Sequence, residues 1–412
     1  MSAEMGWRIG ALVLLAVLVA LLGACVRMRV HGDPAAWVQS MTSTVRVATY
    51  NTSLFDETGG RLVTRLRNDD AHARKVAAVL QRVRPDVVLI NEFDYDAAHR
   101  AADLFQQRYL GVAQPGGGDA LVYPHRYLAP VNTGVPSGLD LDRNGSVGGQ
   151  SRDRGNDAWG YGLHPGQYGM LVLSRYPIDA AAVRTFRTLR WATLPGARRP
   201  RDPATGAWWY DDVAWPQMRL SSKSHWDVPV RMPGGVVHLL AAHPTPPTFD
   251  GPENRNGLRN ADEIRLWREY LDNTRTAATW LRDDQGRSGG LAADARFVIV
   301  GDYNADPDDG AGDHDEIRAL LTHPRVAQAP APRSVGAALR ATHYGLARGG
   351  DTAGHTGDFG PKVGTLRIDY ALPSRNLAFK DSGVFWPAPD SPDAVIAEVS
   401  DHHLVWVDVA TR

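Results

Sequence analysis

The sequence predicts an α/β fold, because short strand-like apolar runs alternate with helical patterns and each run stops at polar residues. Val87–Ile90 and Phe297–Val300 are continuously apolar, which is typical of strands buried on both faces. Val45–Asn51 alternates and is rich in β-branched residues, which also favours a strand. With 412 residues, 43% of them hydrophobic, the chain can bury a sizeable core. We therefore expect one catalytic domain over residues 45–412.

Residues 1–25 have the pattern of an export signal. Arg8 precedes an uncharged apolar run from Ile9 to Ala24, which suits a signal peptide but is short for a membrane span. Leu22-Gly23-Ala24-Cys25 resembles the lipobox of bacterial lipoproteins, where the cysteine is lipidated and the preceding peptide is removed. Cys25 is the only cysteine, so no intramolecular disulfide can form. We expect an exported cell-envelope lipoprotein or secreted protein, with residues 26–44 as a tether.

An uncleaved signal anchor is the alternative for the N-terminus. Arg27 and Arg29, directly after the apolar run, are compatible with such an anchor. Cys25 would then be an incidental or buried cysteine. Membrane contact would come from the lipid in the first case and from the anchor in the second.

The charge balance excludes a globally basic, polyanion-binding protein. The 45 basic and 46 acidic side chains nearly cancel, so no general positive field attracts nucleic acid or anionic lipid. Any polyanion-binding site must therefore be local.

The remaining elements follow the same pattern along the chain. A helix is expected over Asp70–Val83, stopped by Pro85, and a second helix over Ala261–Arg282, whose charged polar face suggests no chemistry. Gly-, Asp- and Asn-rich residues 111–169 and Arg-, Trp- and Pro-rich residues 184–212 predict long loops. Further strands are predicted at Met170–Leu173, Val236–Ala242, Leu366–Tyr370 and Leu404–Val409.

Polar side chains stand at or directly after the ends of these strands, and they are dominated by oxygen donors. Such a set suits Mg²⁺ or Mn²⁺ better than zinc, which recruits His and Cys more heavily. The set comprises Asn51, Glu92, His243, Asp302, Asn304, Asp369, Asp401 and His402.

Two of these segments are ambiguous when taken alone. Asp302 and Asn304 lie two residues apart and point the same way, but Gly301–Asn304 is equally a common turn sequence. Asp401 and His402 precede an alternating strand, and a solvated strand end is the competing interpretation. Alternation turns His403 away from His402, so we expect His403 to be a packed or solvated neighbour without a catalytic role.

The arrangement as a whole resembles the endonuclease/exonuclease/phosphatase superfamily, which includes deoxyribonuclease-like enzymes, abasic-site endonucleases, neutral sphingomyelinases and inositol polyphosphate phosphatases. Five motifs occur in the family's order, and all five together are uncommon by chance. Tyr168–Pro177 resembles an internal strand of the family, and Ala242-His243-Pro244 occupies its histidine position. The five motifs are Ala48-Thr49-Tyr50-Asn51, Ile90-Asn91-Glu92, Gly301-Asp302-Tyr303-Asn304, Arg367-Ile368-Asp369-Tyr370 and Ser400-Asp401-His402.

The resemblance implies a four-layer sandwich, in which two packed mixed β-sheets are flanked by helices and the site lies at one edge. It also implies roles for the strand-end residues in metal-dependent phosphate-ester hydrolysis. Whether Asp302 or His402 accepts the proton of the attacking water stays open at this point. By resemblance, Glu92 ligates the metal with Asn51 and Asp401 close by, Asp302 activates water, His243, Asn304 and His402 contact the scissile phosphate, and Asp369 orients His402.

Three further features lie outside the family pattern. Asp140, Asp142 and Asn144 reproduce the first half of a calcium loop, although position twelve is Ser151 unless Asp153 or Asp157 supplies the missing ligand. Six arginines between residues 184 and 201, with nearby tryptophans, could grip phosphates or a lipid headgroup layer, or could form an ordinary solvated loop. Candidates for substrate contact are Ser221–Trp226, Asp250, Glu253, Arg255, Asn256 and Arg259.

Three functional hypotheses follow. The first is a phosphodiesterase of nuclease type that acts on nucleic acid, and the second is a hydrolase of phospholipid or a small phosphate ester. The third, a non-catalytic surface binding protein on the same scaffold, is disfavoured because no position of the site is lost. No obligate protein partner is indicated, and we expect a monomer.

Overall fold

A computed structural model describes residues 43–410. The predicted signal, Cys25 and nearly all of the tether lie outside the described residues. From Thr44 onward the chain forms one compact unit. Between residues 43 and 410, no helix is both long enough and apolar enough to cross a membrane.

Thirteen strands form two large mixed sheets and a small two-stranded one within the described residues. The first sheet has the order β12-β13-β1-β2-β4-β3, and the second has the order β11-β8-β7-β6-β5. The pairs β1–β2 and β7–β8 are parallel, and the other pairs are antiparallel. The strands are β1 (Thr44–Leu54), β2 (Val87–Phe93), β3 (His125–Tyr127), β4 (Met170–Ser174), β5 (Arg184–Thr185), β6 (His225–Met232), β7 (Gly235–Ala242), β8 (Arg296–Asp302), β9 (Gly357–Asp358), β10 (Thr365–Leu366), β11 (Asp369–Pro373), β12 (Ala378–Val384) and β13 (Val405–Ala410).

Helices cover the outer faces of the two large sheets. The helix predicted from Asp70 is present, and the Asp70 side chain caps it by accepting a hydrogen bond from the backbone N–H of Ala73. The helices are α1 (Arg61–Arg67), α2 (Ala71–Val83), α3 (Arg100–Phe105), α4 (Ser151–Asn156), α5 (Arg255–Asp272), α6 (Ala277–Trp280), α7 (His314–Leu321), α8 (Val335–Tyr344), α9 (Gly360–Val363) and α10 (Ala394–Ala397).

Three apolar clusters give the molecule four layers. The central cluster joins the facing sides of the sheets and includes Val47 of β1 and Val300 of β8. The other two lie between each sheet and its helices; Tyr50 belongs to the cluster that contains α2, and Ile299 to the cluster that contains α5. The predicted sandwich of two mixed sheets flanked by helices is therefore confirmed.

The alternation of the strands sets the position of the polar strand-end residues. Val47 and Val300 face the opposite sheet. Asn51 stands four residues after Val47, and Asp302 two residues after Val300, so both belong to the inner faces. Asp369 pairs with Asp302 across β11 and β8. Inner-face residues of two sheets therefore meet at one edge of the sandwich.

Two predicted elements differ from the structure. The predicted helix Ala261–Arg282 begins earlier and ends at Asp272, where Asn273 adopts a left-handed conformation that stops it; α6 is a separate short turn. The predicted strand Leu366–Tyr370 is divided between β10 and β11. In both cases the periodic sequence pattern runs past the residue at which the regular backbone hydrogen bonding ends.

Candidate active site

Asp302 lies at the centre of the inner-face residues, at the end of β8. Its Oδ2 accepts a hydrogen bond of 3.0 Å from Asn51 Nδ2 and lies 3.4 Å from His243 Nε2 and 3.7 Å from His402 Nε2. Gly301 permits this approach of β8 to β7, because a Cβ at that position would lie 2.0 Å from the backbone oxygen of Ala242. One carboxylate oxygen is thus surrounded by donors from three different segments.

The charge of Asp302 is held in place by its neighbours. Burial alone would raise the pKa of Asp302, but the charge of His402 and hydrogen bonds from His243 and Asn51 outweigh burial, and the pKa falls below its usual range. The remaining oxygen, Oδ1, accepts a hydrogen bond of 2.9 Å from the backbone N–H of Asn304. Asp302 is therefore ionised at neutral pH and fixed in orientation.

His402 lies between two carboxylates. Its Nδ1 is 2.9 Å from Asp369 Oδ2, and its Nε2 faces Asp302, so both ring nitrogens are placed to donate. Burial would lower the pKa of His402, but the charges of Asp369 and Asp302 hold it well above its usual value. The Thr356 hydroxyl donates to the same oxygen of Asp369 at 2.7 Å. The predicted orienting role of Asp369 has this contact as its structural basis.

His243 approaches Asp302 from the end of β7. Burial, together with the nearby charge of Lys223, lowers the pKa of His243 to about 4 despite the opposing charge of Asp302. Its Nδ1 is buried and has no hydrogen-bond partner in the structure. A neutral imidazole with one nitrogen directed at Asp302 suits a role as a hydrogen-bond donor in the site.

Glu92 lies beside Asn51, and the resemblance assigns both residues to the metal ion. Glu92 lies on a left-handed backbone position, with φ 57°, where the pairing of β1 and β2 is irregular. Burial raises the pKa of Glu92 to about 7 although the cations of His402 and Lys223 oppose it. A desolvated carboxylate beside an amide and a second carboxylate is a donor set that a hard divalent cation would stabilise, so the residues present fit such an ion.

The structure brings most, but not all, of the predicted residues into direct contact. Asp401 lies at the rim with its side chain exposed, and its Oδ1 is 3.4 Å from the hydroxyl of Ser400, which donates to the backbone oxygen of Asn51. No hydrogen bond within residues 43–410 joins Asp401 to Asn51 or Glu92. Asn304 is half-buried and donates from Nδ2 to the backbone oxygen of Pro244 at 3.1 Å.

His403 is excluded from the site by packing. Its ring is buried and stacks on Trp386 with centroids 3.7 Å apart and planes 17° apart. The expectation that His403 is a packed neighbour of His402 is confirmed.

The polar face of α5 has a role that the sequence analysis did not assign. Glu263 is fully buried, and its carboxylate accepts hydrogen bonds from the backbone N–H groups of Ser222 at 2.6 Å and Thr245 at 2.7 Å. Asn260, also buried, donates to the backbone oxygens of Thr245 and Tyr303. The sequence suggested no chemistry for this face, and the structure gives it a supporting role, because Glu263 and Asn260 hold the loops beside the site. The run Asn260-Ala261-Asp262-Glu263, directly before the apolar positions of the helix, was the available signal.

The calcium-loop residues are only partly gathered. Carboxylate oxygens of Asp140, Asp142 and Asp157 lie within 4.8 Å of one another. The side-chain oxygen of Asn144 accepts a hydrogen bond from the backbone N–H of Ser146 at 2.8 Å, and both oxygens of Asp157 accept backbone N–H groups. The calcium interpretation stays a prediction, with Asp157 as the additional acidic residue.

The arginines of residues 184–201 are mainly tied to the protein itself. Arg184 pairs with Asp283, Arg198 pairs with Asp313 and Glu316, and Arg199 pairs with Asp212. These contacts favour a structural loop over a phosphate-binding surface.

Solved structures with a similar fold include enzymes of several kinds. An endonuclease/exonuclease/phosphatase from Beutenbergia cavernae DSM 12333 is 18% identical, with 89% of this chain and 71% of that chain covered and a TM-score of 0.48. Sphingomyelinase C from Streptomyces griseocarneus is 16% identical over 89% of this chain and 99% of that one, with a TM-score of 0.42. TDP2 from Caenorhabditis elegans is 14% identical over 91% and 79%, with a TM-score of 0.40. A comparison with curated proteins found no significant match.

The sequence itself carries the family pattern across almost the whole described chain. A model of the Endonuclease/Exonuclease/phosphatase family matches residues 48–402. That span includes every strand-end residue described above, from Asn51 to His402. The chain therefore belongs to the endonuclease/exonuclease/phosphatase family of metal-dependent phosphoesterases and is a hydrolase of phosphoester bonds.

Proposed function

We propose that the protein is a phosphodiesterase, with nucleic acid as the preferred substrate class, in which water activated by Asp302 attacks phosphorus in line with the leaving oxygen. The observation that carries this proposal is the surrounding of one Asp302 oxygen by Asn51, His243 and His402 beside Glu92. Such a cluster offers an ionised base and several donors to a single phosphate.

The proton acceptor is Asp302, and His402 acts as a donor. Both nitrogens of His402 face carboxylates, so His402 has no free lone pair with which to accept a proton from water. Asp302 takes the water proton as the new oxygen–phosphorus bond forms and the bond to the leaving oxygen breaks. His402 can still donate from Nε2, which lies 3.7 Å from Asp302 and is not hydrogen-bonded to it. This group, His243 and Asn304 then offer hydrogen bonds to phosphoryl oxygens on which negative charge grows.

Glu92, Asn51 and Asp401 would hold the divalent cation. Their oxygen-only donor set favours Mg²⁺, with Mn²⁺ as the alternative. When bound, such an ion stabilises negative charge on the phosphoryl and leaving oxygens. The exposed position of Asp401 suits a ligand that closes on the ion from the rim.

The central experiment offers the full-length protein plasmid DNA, RNA, sphingomyelin and bis(4-nitrophenyl) phosphate with Mg²⁺, Mn²⁺ or Ca²⁺. We expect turnover of at least one diester that EDTA abolishes and Mg²⁺ restores. Asp302→Asn should remove turnover while circular dichroism shows a folded protein, whereas Asp390→Asn, at an exposed acidic residue, should behave as wild type. Turnover of sphingomyelin alone would select the phospholipid hypothesis, and no turnover of any substrate would refute the phosphodiesterase proposal.

We also propose that the enzyme works outside the cytoplasm, held by a lipid on Cys25. The support is the apolar run that ends in Leu22-Gly23-Ala24-Cys25. Mass spectrometry of the mature N-terminus should find a diacylglycerol-modified Cys25. An unmodified N-terminus at another residue would contradict the lipid anchor.

A further inference from the structure

Lys223 is a buried cation beside the catalytic cluster, and the mechanism above does not use it. The residue is 6% exposed, and between residues 43 and 410 its side chain forms no ion pair or hydrogen bond. Its backbone oxygen accepts a hydrogen bond of 2.9 Å from Asn132 N–H. Ser222, directly before it, is held by Glu263. The lysine is therefore held in place by its backbone, and its ammonium group is left without a partner.

The surroundings of Lys223 show which ligand the ammonium group would take. Burial lowers the pKa of Lys223, and the charges of Glu263, Glu92 and Asp302 oppose that fall. A buried ammonium group is costly unless an anion pairs with it. No carboxylate within residues 43–410 forms an ion pair with Lys223, so a bound anion can serve as the partner of its ammonium group. In the proposed function, the scissile phosphate is this anion.

Lys223 also lines a cavity that begins at the catalytic cluster. The cavity has a volume of about 410 Å³, and Glu92 and Lys223 are both part of its wall. Two of its lining rings are well exposed, Phe249 at 76% and Tyr161 at 46%. Tyr168 and Tyr210 add two more rings. The wall also contains Arg152, Arg255 and Arg259. A lysine beside the catalytic residues and a wall that combines rings with arginines match a phosphate ester with a ring-bearing polar arm.

We propose that Lys223 contacts a non-bridging oxygen of the scissile phosphate and that this cavity holds one ring-bearing ester arm of the substrate. This inference rests on the proposed function and narrows its substrate class. Cavities that bind small molecules have volumes of roughly 300–1,000 Å³, so 410 Å³ suits one arm of about mononucleotide size. The substrate is therefore a compact phosphodiester or the end of a chain; the middle of a duplex does not fit.

The first test concerns Lys223 and uses bis(4-nitrophenyl) phosphate with the full-length protein. Lys223→Met should lower kcat about 100-fold, as expected for loss of a donor to transition-state charge. Lys223→Arg should recover most of that loss, because a cation is kept. Lys380→Met, at an exposed lysine, is the matched control and should change nothing. Equal Tm values for these proteins would show that the fold is retained.

The second test concerns the cavity and does not depend on a buried residue. Phe249→Ala should raise KM about tenfold with kcat unchanged, because the ring contacts the arm equally before and during reaction. Val395→Ala, at another exposed apolar residue, should leave both constants unchanged. Supercoiled plasmid should be cleaved less efficiently than the small diester.

The outcomes separate this inference from the proposed function. If wild type hydrolyses the diester and Asp302→Asn does not, the proposed function holds whatever the cavity does. Normal kcat in a folded Lys223→Met protein would then overturn the phosphate contact. Unchanged KM in Phe249→Ala, or efficient plasmid nicking that Phe249→Ala leaves intact, would overturn the cavity assignment.

Discussion

The strand-end cluster and the loops around the cavity are built in different ways. Asn51 and Asp302 project from the inner faces of the two large sheets. The register of the hydrogen-bonded strands within each sheet sets their positions. Ser222, Lys223 and Thr245 lie on loops that the buried carboxylate of Glu263 ties to α5. The catalytic groups are therefore positioned by the sheets, whereas the loops that line the cavity are positioned by one helix and its buried polar contacts.

The largest effect is expected at His402, within the strand-end cluster. His402→Ala should lower kcat by about 10³-fold or more, because it removes a donor to the phosphate and leaves Asp302 and Asp369 facing each other. Steady-state kinetics on the small diester would measure this loss, with circular dichroism as the check on folding. Turnover within tenfold of wild type would remove His402 from the site.

A smaller loss is expected at Asp369, which acts through His402. Asp369→Asn keeps the shape but removes the charge that holds the imidazole, so kcat should fall about 10- to 100-fold, as for other orienting partners of functional histidines. A positioning role also predicts an altered pH profile of kcat, because the charge that raises the pKa of His402 is lost. Thr356→Val should give a milder loss, because Asp369 keeps its charge and loses only one hydrogen bond that orients it. A lower Tm with an unchanged pH profile would instead indicate a purely structural role.

Glu263 tests the other half of the comparison. Glu263→Gln places an amide N–H₂ group against backbone donors, and the unmet hydrogen bonds should cost about 1–3 kcal/mol of unfolding free energy. The loops should loosen, so KM for the small diester should rise more than kcat falls. Chemical denaturation and kinetics would measure both. Glu269→Gln, at a partly exposed residue of the same helix, is the control with little effect; equal behaviour of the two variants would contradict the role of Glu263.

The same difference explains what the sequence could and could not reveal. Asn51, Asp302 and Asp369 could be located at strand ends from the sequence, because the apolar or alternating runs beside them mark the strands. The left-handed position of Glu92 and the break after Asp272 were not predictable, since both depend on long-range pairing. Glu263 and Thr356 were missed because their partners are backbone groups and a carboxylate from distant segments. Lys223 belongs to Ser221–Trp226, which the sequence suggested for substrate contact. Only the structure shows that Lys223 is buried, and the burial of a charged group distinguishes it from its neighbours.

The smallest change in kcat/KM is expected for a substitution in the arginine-rich loop, residues 184–201. Its composition alone would suggest a surface that binds nucleic acid. Arg201 covers the ring of Trp208 at 3.4 Å and donates to the backbone oxygen of Gly206 at 2.8 Å, so its guanidinium is engaged within its own loop. Arg201→Ala should therefore change kcat/KM less than about twofold for both the small diester and plasmid DNA, as usual for exposed positions away from a site. A selective loss on plasmid, with the small diester unaffected, would show that the loop holds a polymer outside the cavity. The substrate would then contact residues beyond the loops that Glu263 holds. The arginine-rich loop would be a third functional region, beside the sheets that position the catalytic groups and the helix that positions the cavity loops.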